Sequence, residues 1–234
     1  MRYPTSEELK MILNTKHELT QKIKIELDYL NAIYNHNGKR SGMFDCNKMF
    51  LAGGAIGSLL GNEPPNDYDL YFKDETDAKS FMQLINSCEE EGTSVVAEYS
   101  DEYGDAQSNQ PAVWRLPLFK DDLLAVDVTE PKQKLITENA VTMENKLQFI
   151  SNSRLVGEPG AVVAGFDYLH CTAFLDFATD RFYLPEQVFR AIINKELIIN
   201  NGPRVTRYRL DKFLTRGYTQ TTTRKYHLYN YHNQ

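Results

Sequence analysis

Phe50-Leu51-Ala52-Gly53-Gly54-Ala55-Ile56-Gly57-Ser58-Leu59-Leu60-Gly61, followed by Asn66-Asp67-Tyr68-Asp69-Leu70-Tyr71-Phe72, is the stretch on which the fold turns. Lys48 to Ala52 reads as a short strand running into Gly53-Gly54. Ala55 to Leu60 fits a short helix stopped by Gly61, residues 62–66 form a turn, and Asp67 to Phe72 is a second strand. Paired glycines after a strand let the backbone come close to a phosphate, and the helix that follows offers it unpaired N–H groups. The Ser58 hydroxyl adds a further contact. Asp67 and Asp69 are two apart, so on a strand they point from one face, roughly 7 Å apart along it. Carboxylates so placed can share magnesium ions.

Upstream, Ser6 to Tyr34 reads as one long helix with Ser6 as its cap, Glu7 and Glu8 in the first turn, and no full capping box. Leu9, Ile12, Leu13, Leu19, Ile23, Leu27, Leu30 and Tyr34 form its apolar stripe, with a lapse at Lys16 and His17. Downstream, a helix is expected over Thr76 to Glu90, a strand over Val95 to Tyr99 and a hairpin of Ala112 to Phe119 with Leu123 to Val128. Further helices are expected over Glu186 to Leu197 and Val205 to Thr215. The class is α/β (α+β) with a mixed sheet. The expected divisions are a helix packing on the core (residues 1–45), the core itself (46–131) and a mostly helical C-terminal lobe (132–234).

The composition narrows the classes. Of 234 residues 41% are hydrophobic and 25% charged, as in an ordinary globular protein. There is no apolar run long enough for a membrane span and no signal-peptide core, and three dispersed cysteines without CxxC spacing suit a reducing cytoplasm. The net charge is -6, yet Arg204 to Lys225 holds seven basic residues against one acid, Asp211. That asymmetry marks Arg204, Arg207, Arg209, Lys212 and Arg216 as candidate contacts to nucleic-acid phosphates, against the plainer reading of a solvated helix face.

A third carboxylate normally completes a two-metal site, and Leu123-Leu124-Ala125-Val126-Asp127-Val128 supplies a candidate. An aspartate in so apolar a strand is costly unless paired or metal-bound. Two ions held by Asp67, Asp69 and Asp127 would lower the pKa of an attacking hydroxyl and screen a leaving pyrophosphate. Asp167 and Asp176 lie in an aromatic stretch and need partners, with Arg181 or Arg190 as candidates for docking the second lobe. His170 and Cys171 read as a buried structural pair.

The order Gly-Gly, Asp-x-Asp and a later strand Asp resembles the DNA polymerase beta-type nucleotidyltransferase superfamily. Gly53-Gly54-Ala55-Ile56, Leu59-Leu60-Gly61 and Asp67-Tyr68-Asp69 are similar to the head of tRNA CCA-adding enzymes and bacterial poly(A) polymerases. The resemblance covers residues 49–129 and implies magnesium-dependent transfer of a nucleoside monophosphate from an NTP. Gly53, Gly54 and Ser58 would lie near the triphosphate, and the acceptor would be an RNA of tRNA-like kind. Two features depart from it: Gly57-Ser58 stands where CCA-adding heads carry Arg-Asp, and no Glu-Asp-x-x-Arg-type base-reading motif follows. Residues 166–171 and 209–217 are similar to nucleotidyltransferase-like proteins of bacteriophages, which would place the chain in a host cytoplasm. Two rivals stand beside this reading. One is a toxin-like or small-molecule/protein adenylyltransferase, and the other a non-catalytic nucleic-acid-binding protein that keeps the fold.

Overall fold

The computed structural model describes residues 4–34, 44–87, 96–97, 112–114, 134–136, 140–143, 146–202 and 205–220. Asp127, Arg204, the strand expected over Leu123 to Val128 and the chain beyond residue 220 lie outside the described residues.

Helix α1 (Ser6–Tyr34) runs unbroken through Lys16 and His17. Its cap is Thr5 rather than Ser6. The Glu8 N–H donates to Thr5 Oγ1 (3.2 Å) and the Thr5 N–H to Glu8 Oε2 (2.7 Å). Thr5-x-x-Glu8 is therefore a full capping box, and the expected cap was one residue late. Leu19, Ile23, Leu27 and Leu30, at spacings of four and three, are buried.

Strand β1 (Met49–Ala52) leads into α2 (Gly54–Leu60), and β2 (Tyr68–Phe72) into α3 (Glu75–Ser87). The remaining strands are β3 (Val96–Ala97), β4 (Ala112–Trp114), β5 (Lys134–Ile136), β6 (Ala140–Thr142), β7 (Leu147–Ile150), β8 (Phe174–Asp176) and β9 (Arg181–Tyr183). They form one sheet in the order β3-β4-β5-β6-β7-β2-β1-β8-β9. β2 pairs with β7 in parallel, and the other neighbours in this sheet are antiparallel. The fold is thus α/β with a mixed sheet, as the sequence indicates.

The stretch expected to begin a mostly helical lobe behaves differently: β5 to β9 join the same sheet as β1 and β2. Those strands are three or four residues long, too short for their alternation to show in the sequence. Helices α4 (Pro159–Ala164), α5 (Glu186–Ile193) and α6 (Arg207–Thr215) lie among and after them. The helix expected over Glu186 to Leu197 stops at Ile193. Lys195 takes a positive φ (50°), and β10 (Glu196–Leu197) then pairs in parallel with β11 (Thr219–Gln220).

Alternate residues of the central strands feed two apolar layers. On one face Leu51, Leu70, Phe72 and Phe149 pack with Leu19 and Ile23 of α1, Ile56 of α2, Phe81 of α3 and Val188 of α5. On the other, Phe50, Ala52, Tyr71, Ile150 and Phe174 meet Val162 and Val163 of α4. A third cluster of Tyr168, Cys171, Leu197 and Phe213 anchors α6.

Candidate functional site

The site is built at the junction of β1 and α2, on the α4 side of the sheet. In the antiparallel pair β1–β2, Ala52 stands opposite Asp69, so the backbone at Gly53 passes beside the carboxylate. Gly53 has φ +91°, and a Cβ there would lie 2.6 Å from Asp69 Oδ2. Both conformation and space require glycine. Gly54 differs: among the described residues nothing lies within 4 Å of where its Cβ would be. Gly53, the N-cap of α2, has no side chain to cap it. Ser58 sits half-buried on α2, and its backbone oxygen accepts from the Glu63 N–H (2.8 Å). A Cβ on Gly57 would come 3.8 Å from the Tyr218 hydroxyl, so the β11 end of the chain reaches α2.

Asp67, just before β2, and Asp69, within it, are brought together as expected, and both are partly buried. Burial and then the charge of Asp67 raise the Asp69 carboxyl to about 7, while Arg209 and Lys212 of α6 pull the other way. Neither carboxylate has a hydrogen bond or ion pair among the described residues. Two partly buried carboxylates without a hydrogen-bond or ion-pair partner among the described residues suit a hard divalent cation. No group of three or more Asp, Glu, His or Cys side chains able to hold a metal occurs among the described residues.

The neighbour of Asp69 on its other side is Gln148, its register partner on β7. Gln148 Nε2 donates to Thr142 Oγ1 (2.8 Å), and Thr142 is in turn the register partner of Gln148 on β6. The sequence singles out neither residue, although Gln148 is the lone polar position in Leu147-Gln148-Phe149-Ile150.

The basic helix faces inward more than expected. Arg209 forks onto the buried Asp167 (Nε–Oδ2 2.7 Å, Nη2–Oδ1 3.1 Å), reaches the Cys171 sulfur at 3.8 Å and lies 4.9 Å over the Phe213 ring. Lys212 bears electrostatically on Asp69. Arg207 is exposed and paired along the helix with Asp211 (3.1 Å), and the Arg216 carbonyl accepts from Lys195 Nζ (3.0 Å). The partners expected for Asp167 and Asp176 are replaced. Asp167 takes Arg209, and Asp176 takes Lys73 together with Thr179 Oγ1 (2.8 Å) and the Ala178 N–H (3.1 Å). Arg190 pairs instead with Glu186 (2.7 Å). Burial pushes the Asp176 carboxyl up, but these donors hold it below the usual range.

His170 and Cys171 are buried, as expected. Burial lowers the imidazole to about 3 and raises the thiol to about 12, so both are neutral at physiological pH. The imidazole lies 4.4 Å from the rings of Phe213 and Tyr218. No described helix is long and apolar enough to cross a membrane.

A family model described as Gad2: Gabija anti-defense 2 family protein matches residues 20–195. No curated protein matches the chain.

Proposed function

We propose, since the chain belongs to the Gabija anti-defense 2 family, that it is a phage-encoded protein acting in the host cytoplasm against Gabija defence through magnesium-dependent nucleotidyl transfer. The observation that carries the enzymatic part is the corner around Asp69. A carboxylate with no partner among the described residues is walled by a glycine whose conformation and space exclude any side chain. Beside it, no described residue comes within 4 Å of where a Gly54 Cβ would be.

Asp67 and Asp69 would hold magnesium, with Asp127 as the third ligand. Magnesium bound there supplies charge screening for the phosphates and favours the ionised acceptor hydroxyl. Gly53, Gly54 and Ser58 would seat the triphosphate, and Lys212 would offset its negative charge from α6. The hydroxyl oxygen bonds to the α-phosphorus as the bond to pyrophosphate breaks, and the hydroxyl proton passes to Asp127 or solvent.

The first reading of the acceptor is an RNA, tRNA-like, gripped by the basic segment. A second reading has a specific observation behind it: Arg207 and Arg209, two of the five basic candidates, are engaged by Asp211 and Asp167. That favours a protein or small-molecule hydroxyl.

The test is incubation of the full chain with each α-labelled NTP, magnesium, RNA and extract of Gabija-expressing cells. Label on RNA or on a protein, lost in Asp67→Ala/Asp69→Ala, supports transfer and names the acceptor class. Absence of both label and NTP-dependent thermal stabilisation would falsify the enzymatic reading and favour a non-catalytic binding protein.

A further inference from the structure

We infer that the side-chain oxygen of Gln148 is a neutral ligand for the divalent cation held by Asp67 and Asp69, which rests on the metal-dependent reading above. Cross-strand register places Thr142, Gln148 and Asp69 in one row on β6, β7 and β2. Register partners project from the same face, and neighbouring strands lie about 4.8 Å apart. The row continues to Ala52, whose side chain carries no ligand atom, and Gly53 closes against Asp69 beyond it.

On the β7 side the amide is already oriented. Its nitrogen donates to Thr142 on the far strand (2.8 Å), which leaves Oε1 as the end of the amide still able to serve a ligand. Oε1 has no hydrogen-bond partner among the described residues. The Asp69 carboxylate beside it accepts hydrogen bonds and, when ionised, donates none. Two acceptors on register-paired residues gain nothing from each other, whereas a cation between them satisfies both. Two oxygens each about 2.1 Å from magnesium at neighbouring octahedral positions lie roughly 3 Å apart, which side chains from adjacent strands can reach. Amide carbonyls belong with carboxylates and water among the ligands that suit magnesium and manganese. Thr142 is then a positioning residue: it fixes which end of the amide faces the metal.

The test reads metal binding rather than turnover. Mn2+ is titrated into the full chain without nucleotide and followed by electron paramagnetic resonance, with circular dichroism confirming that each variant is folded. Gln148→Met, which keeps the length and removes the oxygen, should weaken Mn2+ binding roughly tenfold. Gln148→Glu should bind Mn2+ more tightly than the wild-type chain, and Asp69→Asn should abolish binding. Wild-type affinity in Gln148→Met, with binding lost in Asp69→Asn, overturns the role of Gln148 and leaves the metal site standing. No Mn2+ binding by the wild-type chain overturns both. If Gln148→Met unfolds, Gln148→Glu decides: affinity unchanged or weakened in that folded variant overturns the inference.

Discussion

The two faces of the sheet use the same strands to opposite ends. Toward α1, α2, α3 and α5, the residues Leu51, Leu70, Phe72 and Phe149 are at most 1% exposed, and Phe149 lies 4.7 Å from the Phe81 ring. Toward α4, apolar packing covers the row of Phe50, Tyr71 and Ile150, while the next row ends in Thr142, Gln148 and Asp69. One face is completed by burying carbon. The other keeps a polar row whose carboxylate costs the fold free energy. Stability and chemistry thus come from alternate residues of the same chain segment.

Paired substitutions would break this contrast most sharply. Phe149→Ala should destabilise by about 3–5 kcal/mol in urea unfolding, because it empties an aromatic cluster. Asp69→Asn, one strand away, should change stability by less than about 1 kcal/mol or raise it, because it removes a buried carboxyl that has no partner among the described residues. Equal losses in the two would refute the division between faces. Next in size is Asp167→Asn, which leaves Arg209 beside a neutral partner and should cost about 2–3 kcal/mol while detaching α6, seen as faster proteolysis near residue 207.

His170 sharpens the picture through pH. Its folded-state pKa of about 3 lies below the usual value near 6.5, so its contribution is complete above 6.5 and is lost as pH falls toward 3. Between pH 6 and 4 the loss should reach up to about 1.4 kcal/mol per pH unit, and His170→Phe should flatten that part of the profile. The smallest effect belongs to Arg207→Ala. This exposed pair within one helix should contribute no more than about 0.5 kcal/mol to thermal unfolding.

What could be read in advance followed from how local each signal is. The strand–glycine–helix–turn–strand run from Lys48 to Phe72 lies within one short segment, and the structure places those elements nearly residue for residue. The long helix was equally plain, although its cap is Thr5 rather than Ser6 and forms with Glu8 a capping box that was not expected. The partners of Asp167 and Asp176 could not be read. A buried carboxylate announces that it needs a cation, but Arg209 lies 42 residues from one and Lys73 103 residues from the other. The same distance hid the inward turn of α6: a run of arginines looks like a surface until its acid is located. Gln148 escaped because its meaning depends on register across a parallel pair.

The position of β1 bears on how the chain is made. β1 lies between β2, which follows it closely, and β8 at residues 174–176. During vectorial synthesis at roughly 5–20 residues per second, the second edge of β1 therefore waits on the order of ten seconds for its partner to leave the ribosome. Until then a nascent strand of fully buried residues, Met49 to Ala52, has one open ladder. Premature termination before residue 174 should thus yield not a smaller working protein but a sticky fragment, and yield in the cell would depend on chaperone capture during that interval.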